Sequence, residues 1–208
     1  VTAETTMAQL RANPAIQGTG YYTYCREMTP LMVARWKNKT LHDYFGDTDW
    51  ESGIAALNLI IDNYNKGVKV TYQVYTPEEI EQNSSLGCVQ LFYYPAETPN
   101  AKTAIVIPGN ALTITSEMGE GGSTAYELHK LGYAVFVLRY RTFLDLGNNA
   151  PLQDLARAVQ LVTSLDEELS IQTQNYALVG YSSGGQLAGV FANKERGYGH
   201  YGVARPGA

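Results

Sequence analysis

A serine becomes a nucleophile only where a base can take its proton and donors can hold the oxyanion it creates. Ser182 has the surroundings such a role needs. It stands in Gly180-Tyr181-Ser182-Ser183-Gly184, directly after the apolar run Tyr176-Ala177-Leu178-Val179 and just before Gln186-Leu187-Ala188-Gly189-Val190-Phe191-Ala192, which suits a helix. Gly-x-Ser-x-Gly between a strand and a helix is the setting of a nucleophile elbow. The reason is steric: a strand that turns at once into a helix strains the central serine, and only glycines at Gly180 and Gly184 let the backbone pass so closely. Ser182 would then be exposed at the carboxyl end of a sheet, with the free N–H groups of the helix start facing any developing negative charge. Glycine-rich turns of this kind also bind phosphate or merely turn. A second element favours chemistry: Ile105-Val106-Ile107 runs into Pro108-Gly109-Asn110-Ala111-Leu112, a strand that ends in Pro-Gly where an oxyanion loop would sit.

Elements able to position these residues are legible around them. From Lys102 onward short continuous apolar segments alternate with helical ones: Thr103 to Ile107, Tyr126 to Leu131, Tyr133 to Leu138, Leu155 to Leu165 and Tyr176 to Val179. Apolar strands without alternation are buried on both faces, and strand-helix repetition predicts a parallel sheet covered by helices. Pro151 and Asp154 suit the start of the fourth of these segments, and Asp154 reads there as a helix-start carboxylate. Upstream, Val68, Val70, Tyr72 and Val74 alternate with polar neighbours. With Gly87 to Tyr94 they predict an antiparallel, half-exposed strand pair. Residues 1–66 differ again: Ile54, Leu57, Ile61 and Tyr64 recur at helical steps, which predicts a helical extension packed on a larger domain at 67–208. The aromatic residues Tyr21, Tyr22, Tyr24, Trp36 and Trp50 read as core of that added layer more readily than as sugar-stacking rings. The fold class is α/β.

Composition excludes other classes. The 208 residues are 45% hydrophobic with a net charge of −5, enough for one substantial core and unsuited to binding nucleic acid by phosphate neutralisation. No apolar run approaches the ~18 residues of a membrane helix, so no membrane partner is expected. Location stays open between cytoplasm and secretion. Cys25 and Cys88 are the two cysteines, too few for a disulfide scaffold; two separate thiols are the commoner state, and a Cys25–Cys88 bridge is the alternative. No cluster has metal-ligand spacing, so neither metal nor cofactor is expected. The Gly119-Glu120-Gly121-Gly122 loop, at the ligand face of the sheet, lacks the Gly-Lys-Ser/Thr ending of a P-loop. Arg139 and Arg141, flanking Tyr140 at a strand end, read as internal ion-pair partners.

With these segments in view, the stretch from about Lys102 to Ala208 resembles the α/β-hydrolase superfamily, and more narrowly its acetyl-esterase and acetylxylan-esterase-like branch, with affinity to hormone-sensitive-lipase and prolyl-oligopeptidase-type hydrolases. Leu131 to Arg141 matches the next strand of that family and its Tyr-Arg ending, and Pro151 to Val159 its helix before the elbow strand, where the resemblance implies a structural, loop-tying role for Asp154. The family's oxyanion loop carries three glycines after His or Pro, and here Asn110 and Ala111 stand at the second and third. The resemblance implies an α/β-hydrolase fold: a mostly parallel sheet with helices on both faces and antiparallel first strands. It also implies a Ser182 nucleophile, an oxyanion held by the N–H of Ser183 and one from Asn110 or Ala111, and a small-molecule ester as substrate.

The resemblance further demands an acid and a histidine after the serine, in that order. Beyond Ser182 stand Glu195 and His200. His200 lies past the elbow helix, about 15–20 Å from the serine at 1.5 Å per residue, so it is not expected to be the base. His42 and His129 precede the serine and do not fit the order. The expectation is therefore of the N-terminal part of a longer hydrolase, its acid and histidine carried by a missing segment or by a second polypeptide. Three functions remain open: a serine esterase for short O-acyl groups, including acetyl groups on carbohydrate; a serine peptidase of the prolyl-oligopeptidase type; and a non-catalytic binding protein that keeps the elbow.

Overall fold

Each helix of the N-terminal layer for which a cap is resolved begins at a residue that accepts the first unpaired amides. The computed structural model describes residues 1–21, 34–47, 50–112, 114–142 and 147–193. Thr6 and Thr40 form capping boxes for α1 (Met7–Ala12) and α3 (Leu41–Phe45), and Asn13 caps α2 (Pro14–Thr19), whose first residue is proline. The longer α4 (Trp50–Asn65) buries Ile54, Leu57, Ile60 and Ile61. Tyr64, expected on that stripe, is instead exposed. It sits in the last turn, its hydroxyl over Gly18 of α2 in space that a Cβ there would fill.

The sheet has five strands: β1 (Thr71–Gln73), β2 (Gln90–Tyr94), β3 (Ala101–Ile107), β4 (Ala134–Arg139) and β5 (Ile171–Gly180), in the order β1-β2-β4-β3-β5. β1, β2 and β4 pair antiparallel, and β4, β3 and β5 are parallel. The crossovers carry α6 (Ser123–Lys130) between β3 and β4, and α7 (Ala150–Ser164) with α8 (Asp166–Leu169) between β4 and β5. A short α5 (Pro77–Gln82) joins β1 to β2, and α9 (Ser183–Ala192) follows β5. Because β4 and β5 lie on opposite sides of β3, the chain reverses direction of travel at β3, and the crevice at the carboxyl ends of β3 and β5 is a topological switch point.

Alternation within β3 and β4 feeds two cores. Ile105, Ile107, Phe136 and Leu138 face α7 and α9, while Ala104, Val106, Val135 and Val137 face α1 to α4 and α6. The N-terminal layer thus completes one face of the sheet.

Three expectations need correction. β2 is buried, not half exposed, from Leu91 to Tyr94, because it is an interior strand between β1 and β4, and Phe92 and Tyr94 project under the N-terminal layer. β5, read as buried on both faces, is half-exposed from Tyr176 to Val179, since among the described residues it is an edge strand paired to β3 alone. Cys88 is disulfide-bonded and not a separate thiol; Cys25 lies outside the described residues, as do Tyr22 and Tyr24. Among the described residues no helix is long and apolar enough to cross a membrane.

Candidate active site

Ser182 falls between the end of β5 and the start of α9, with φ 47° and ψ −118°. Such a backbone costs a non-glycine residue about 1–3 kcal/mol and persists only where its surroundings over-determine it. Here they do. A Cβ on Gly184 would lie 2.0 Å from the Ile107 carbonyl oxygen, and one on Gly180 would lie 2.6 Å from the Gly184 carbonyl oxygen. The end of β3, the turn and the first residues of α9 are therefore in backbone contact, and the Tyr181 N–H donates to the Ile107 carbonyl at 3.1 Å.

The second arm of the site is the loop 108–112. A Cβ on Gly109 would stand 2.5 Å from the Tyr181 carbonyl oxygen and 2.9 Å from the Ser182 Cβ, so the loop lies directly against the serine. It is held from three directions. The Tyr140 hydroxyl, which burial pushes up to about 12 and so keeps protonated, donates to the Pro108 carbonyl at 2.6 Å. The Gly109 N–H donates to Glu120 Oε2 at 2.6 Å, and the Leu112 N–H reaches Ser183 Oγ at 3.4 Å. Asn110, Ala111 and Leu112 all take positive φ, at 106°, 53° and 58°. Sequence reasoning brought Ser182, Ser183, Gly180, Gly184, Asn110 and Ala111 to one place, and the structure juxtaposes them. It missed the anchors: Tyr140 was read only as a strand ending, and Glu120 was put on this face without a partner.

Beside the elbow a cleft of about 690 Å³ opens between α3, α6 and the turn at Tyr181. Tyr44, Phe45, Ser116, Glu120, Thr124 and Tyr181 line it. Tyr181 and Thr124 join their hydroxyls at 2.6 Å.

Residues 117–122, read as a loop, form a single turn of π-helix. Glu117 of this turn is buried, which pushes its carboxyl up to about 7, while Arg139 3.9 Å away opposes the shift. Asp154 is not a helix-start cap. Fully buried, it accepts bonds from the Arg141 N–H and guanidinium and from the Tyr75 hydroxyl, at 2.7–3.0 Å. Arg139 and Arg141 thus both have carboxylate partners inside the protein, as expected.

His42 lies beside Asp47, at 3.6 Å, and the Trp50 ring. His129 is at the last turn of α6, 4.0 Å from Glu97 in the connection leading into β3. That is the amino-terminal end of β3, opposite the end where Ser182 sits. Glu195 and His200 lie outside the described residues.

A strained serine on a strand-to-helix turn, set at the switch point of a doubly covered sheet, defines an α/β hydrolase. The family model described as BD-FAE matches residues 90–198, just over half of the chain, and the chain belongs to that family. Its sequence is 27% identical over 125 residues to an acetylxylan esterase of Xylanibacter ruminicola, a match covering 59% of this chain and 26% of that protein. By structure it is similar to the acetyl ester-xyloside bifunctional hydrolase of Caldicellulosiruptor lactoaceticus, with TM-score 0.51 and 25% identity, covering 61% of this chain and 52% of the other. Esterase B from Lactobacillus rhamnosis shares the fold, with TM-score 0.52 at 17% identity, over 74% of this chain and 54% of its own. The chain therefore spans about a quarter of that curated relative and about half of those solved chains.

Proposed function

We propose that the protein is a carboxylic ester hydrolase that removes short acyl groups, acetyl foremost, through a seryl acyl-enzyme. The observation that carries this reading is Ser182 itself, held at φ 47° against the Gly109 backbone at the head of α9. The names of the relatives, an acetylxylan esterase and an acetyl ester-xyloside hydrolase, support an acetylated carbohydrate as the substrate class.

In the proposed reaction Ser182 Oγ attacks the ester carbonyl carbon while an imidazole takes the hydroxyl proton. The carbonyl oxygen becomes an oxyanion, stabilised by the N–H of Ser183 at the positive end of α9 and by an N–H of Asn110 or Ala111. Collapse expels the alcohol, which takes the proton back from the imidazole. Water then repeats the sequence on the acyl-serine, releasing the carboxylic acid and restoring Ser182. The imidazole and its orienting acid come from outside the described residues, within the same protein or from a second polypeptide. The cleft beside Tyr181, lined by hydroxyls and aromatic rings, suits the polar alcohol half of the substrate.

The test is hydrolysis of p-nitrophenyl acetate and acetylated xylo-oligosaccharide by the intact protein and by Ser182→Ala. The substitution is expected to lower kcat by about 10³-fold or more. Turnover that survives it overturns the reading, and hydrolysis of a prolyl peptide amide in preference to the acetyl ester would favour a peptidase.

A further inference from the structure

The Gly109 peptide sits between the serine and a carboxylate. On one side, the clearance at Gly109 leaves no room for a Cβ against Tyr181 and Ser182; on the other, its N–H donates to Glu120 Oε2 at 2.6 Å. A hydrogen bond to an ionised acceptor is about twice as strong as a neutral one. Glu120 is itself placed by the π-helical turn. Its N–H donates to Ser116 Oγ at 3.4 Å, and the next N–H, of Gly121, closes the wide turn onto the Ser116 carbonyl at 3.0 Å. Gly121 lets that turn press onto β4, where a Cβ would come 2.6 Å from Val137 Cγ1. A one-turn π-helix inserted before a helix is a rare feature that gathers at functional sites, and here it delivers one carboxylate to one backbone amide.

Engagement with Glu120 takes the Gly109 N–H out of the donors available to an oxyanion. Asn110, Ala111 and Leu112 all take positive φ, a conformation that residues bearing a Cβ hold only where their surroundings impose it. The Leu112 N–H reaches Ser183 Oγ, so the far end of the loop lies against the elbow as its start does.

We infer that Glu120 is the positioning residue of the oxyanion loop: its carboxylate fixes the Gly109 peptide so that the N–H groups after it face the oxygen of a Ser182 adduct. This rests on the serine-esterase reading and gives Glu120, on the wall of the cleft, a role exerted through the Gly109 peptide. Gln at this position keeps an acceptor oxygen without the charge, and Ala removes it. Glu120→Gln is expected to lower kcat about 3–10-fold and Glu120→Ala about 100-fold, each with KM within about 3-fold of wild type, as for loss of an interaction made only in the transition state. Added acetate is expected to restore part of the Ala variant's kcat. The Gly109 amide proton resonance, independent of turnover, is expected to move upfield from wild type to Gln to Ala. An unchanged kcat in Glu120→Ala, where Ser182→Ala abolishes turnover, overturns the assignment and leaves the esterase reading standing. So does a uniform loss of melting temperature and activity in both variants with an unmoved Gly109 resonance. Turnover that persists in Ser182→Ala removes the esterase reading and the oxyanion role together, even if the Gly109 resonance still reports the anchor.

Discussion

Ala111 holds φ 53° between Asn110 at 106° and Leu112 at 58°, a region that costs a residue bearing a Cβ about 1–2 kcal/mol. The resemblance implies glycine at the positions of Asn110 and Ala111, and the positive φ values there give a physical reason for it. Ala111→Gly should therefore raise stability by about 0.5–1 kcal/mol, the relieved strain being offset in part by the greater freedom of the unfolded chain. The sign is opposite to that of the same change inside a helix, and urea unfolding of the two variants measures it. At this scale legibility followed sterics. The position of Ser182 could be read because the glycines around it are compelled: without Gly184 the Ile107 carbonyl would be 2.0 Å from a Cβ. The contact of Glu120 with Gly109, eleven residues apart, could not be read, since no periodicity links a carboxylate on a π-turn to an amide across a loop.

Elements were legible where burial on both faces left a continuous apolar signature, as in β3 and β4, whose limits fall close to the segments Thr103 to Ile107 and Tyr133 to Leu138. What covers an element was not legible. β2 looked half exposed because nothing in its own sequence announces the N-terminal layer over Phe92 and Tyr94. For Asp154 the place near a helix start misled, whereas the structural, loop-tying role that the resemblance implies is the one it has. In the fold it joins α7 to the end of β4 through Arg141 and to the chain after β1 through Tyr75, whose hydroxyl is pushed well up by its own burial and by the carboxylate beside it. Removing one partner of a buried pair strands the other's charge and costs about 3–5 kcal/mol. Asp154→Ala should lose that much in chemical denaturation, with Arg141 left buried opposite a void. A loss below about 1 kcal/mol would mean that water replaces the carboxylate, and the three elements would then be joined by packing alone.

At the scale of the whole molecule the two cores meet the site through Glu117 and Arg139. The Arg139 guanidinium donates to the Gly20 carbonyl at the end of the α2 layer, to the Cys88 carbonyl before β2, and to the Gln90 side chain. With its hydrogen bonds drawn into those strands, it stands 3.9 Å from Glu117, whose Oε1 has no hydrogen-bond partner among the described residues. Burial therefore outweighs the attraction, and the Glu117 carboxyl rises from an ordinary 4.5 to about 7. A group that holds its proton more tightly when folded contributes stability in full below about pH 4.5, and that contribution is lost as pH rises through about 7. The amount at stake is on the order of 3 kcal/mol. Glu117→Gln keeps the shape and never ionises, so the wild-type protein should match it most closely near pH 4.5 and fall progressively behind it up to pH 7, with the gap constant above. Unfolding free energies of both proteins across pH 4 to 8 isolate this one group, because every other titration cancels in the difference. A difference that stays level across the window would mean that Arg139 holds Glu117 ionised, and that the N-terminal layer, β2 and the π-turn are joined by an intact buried ion pair.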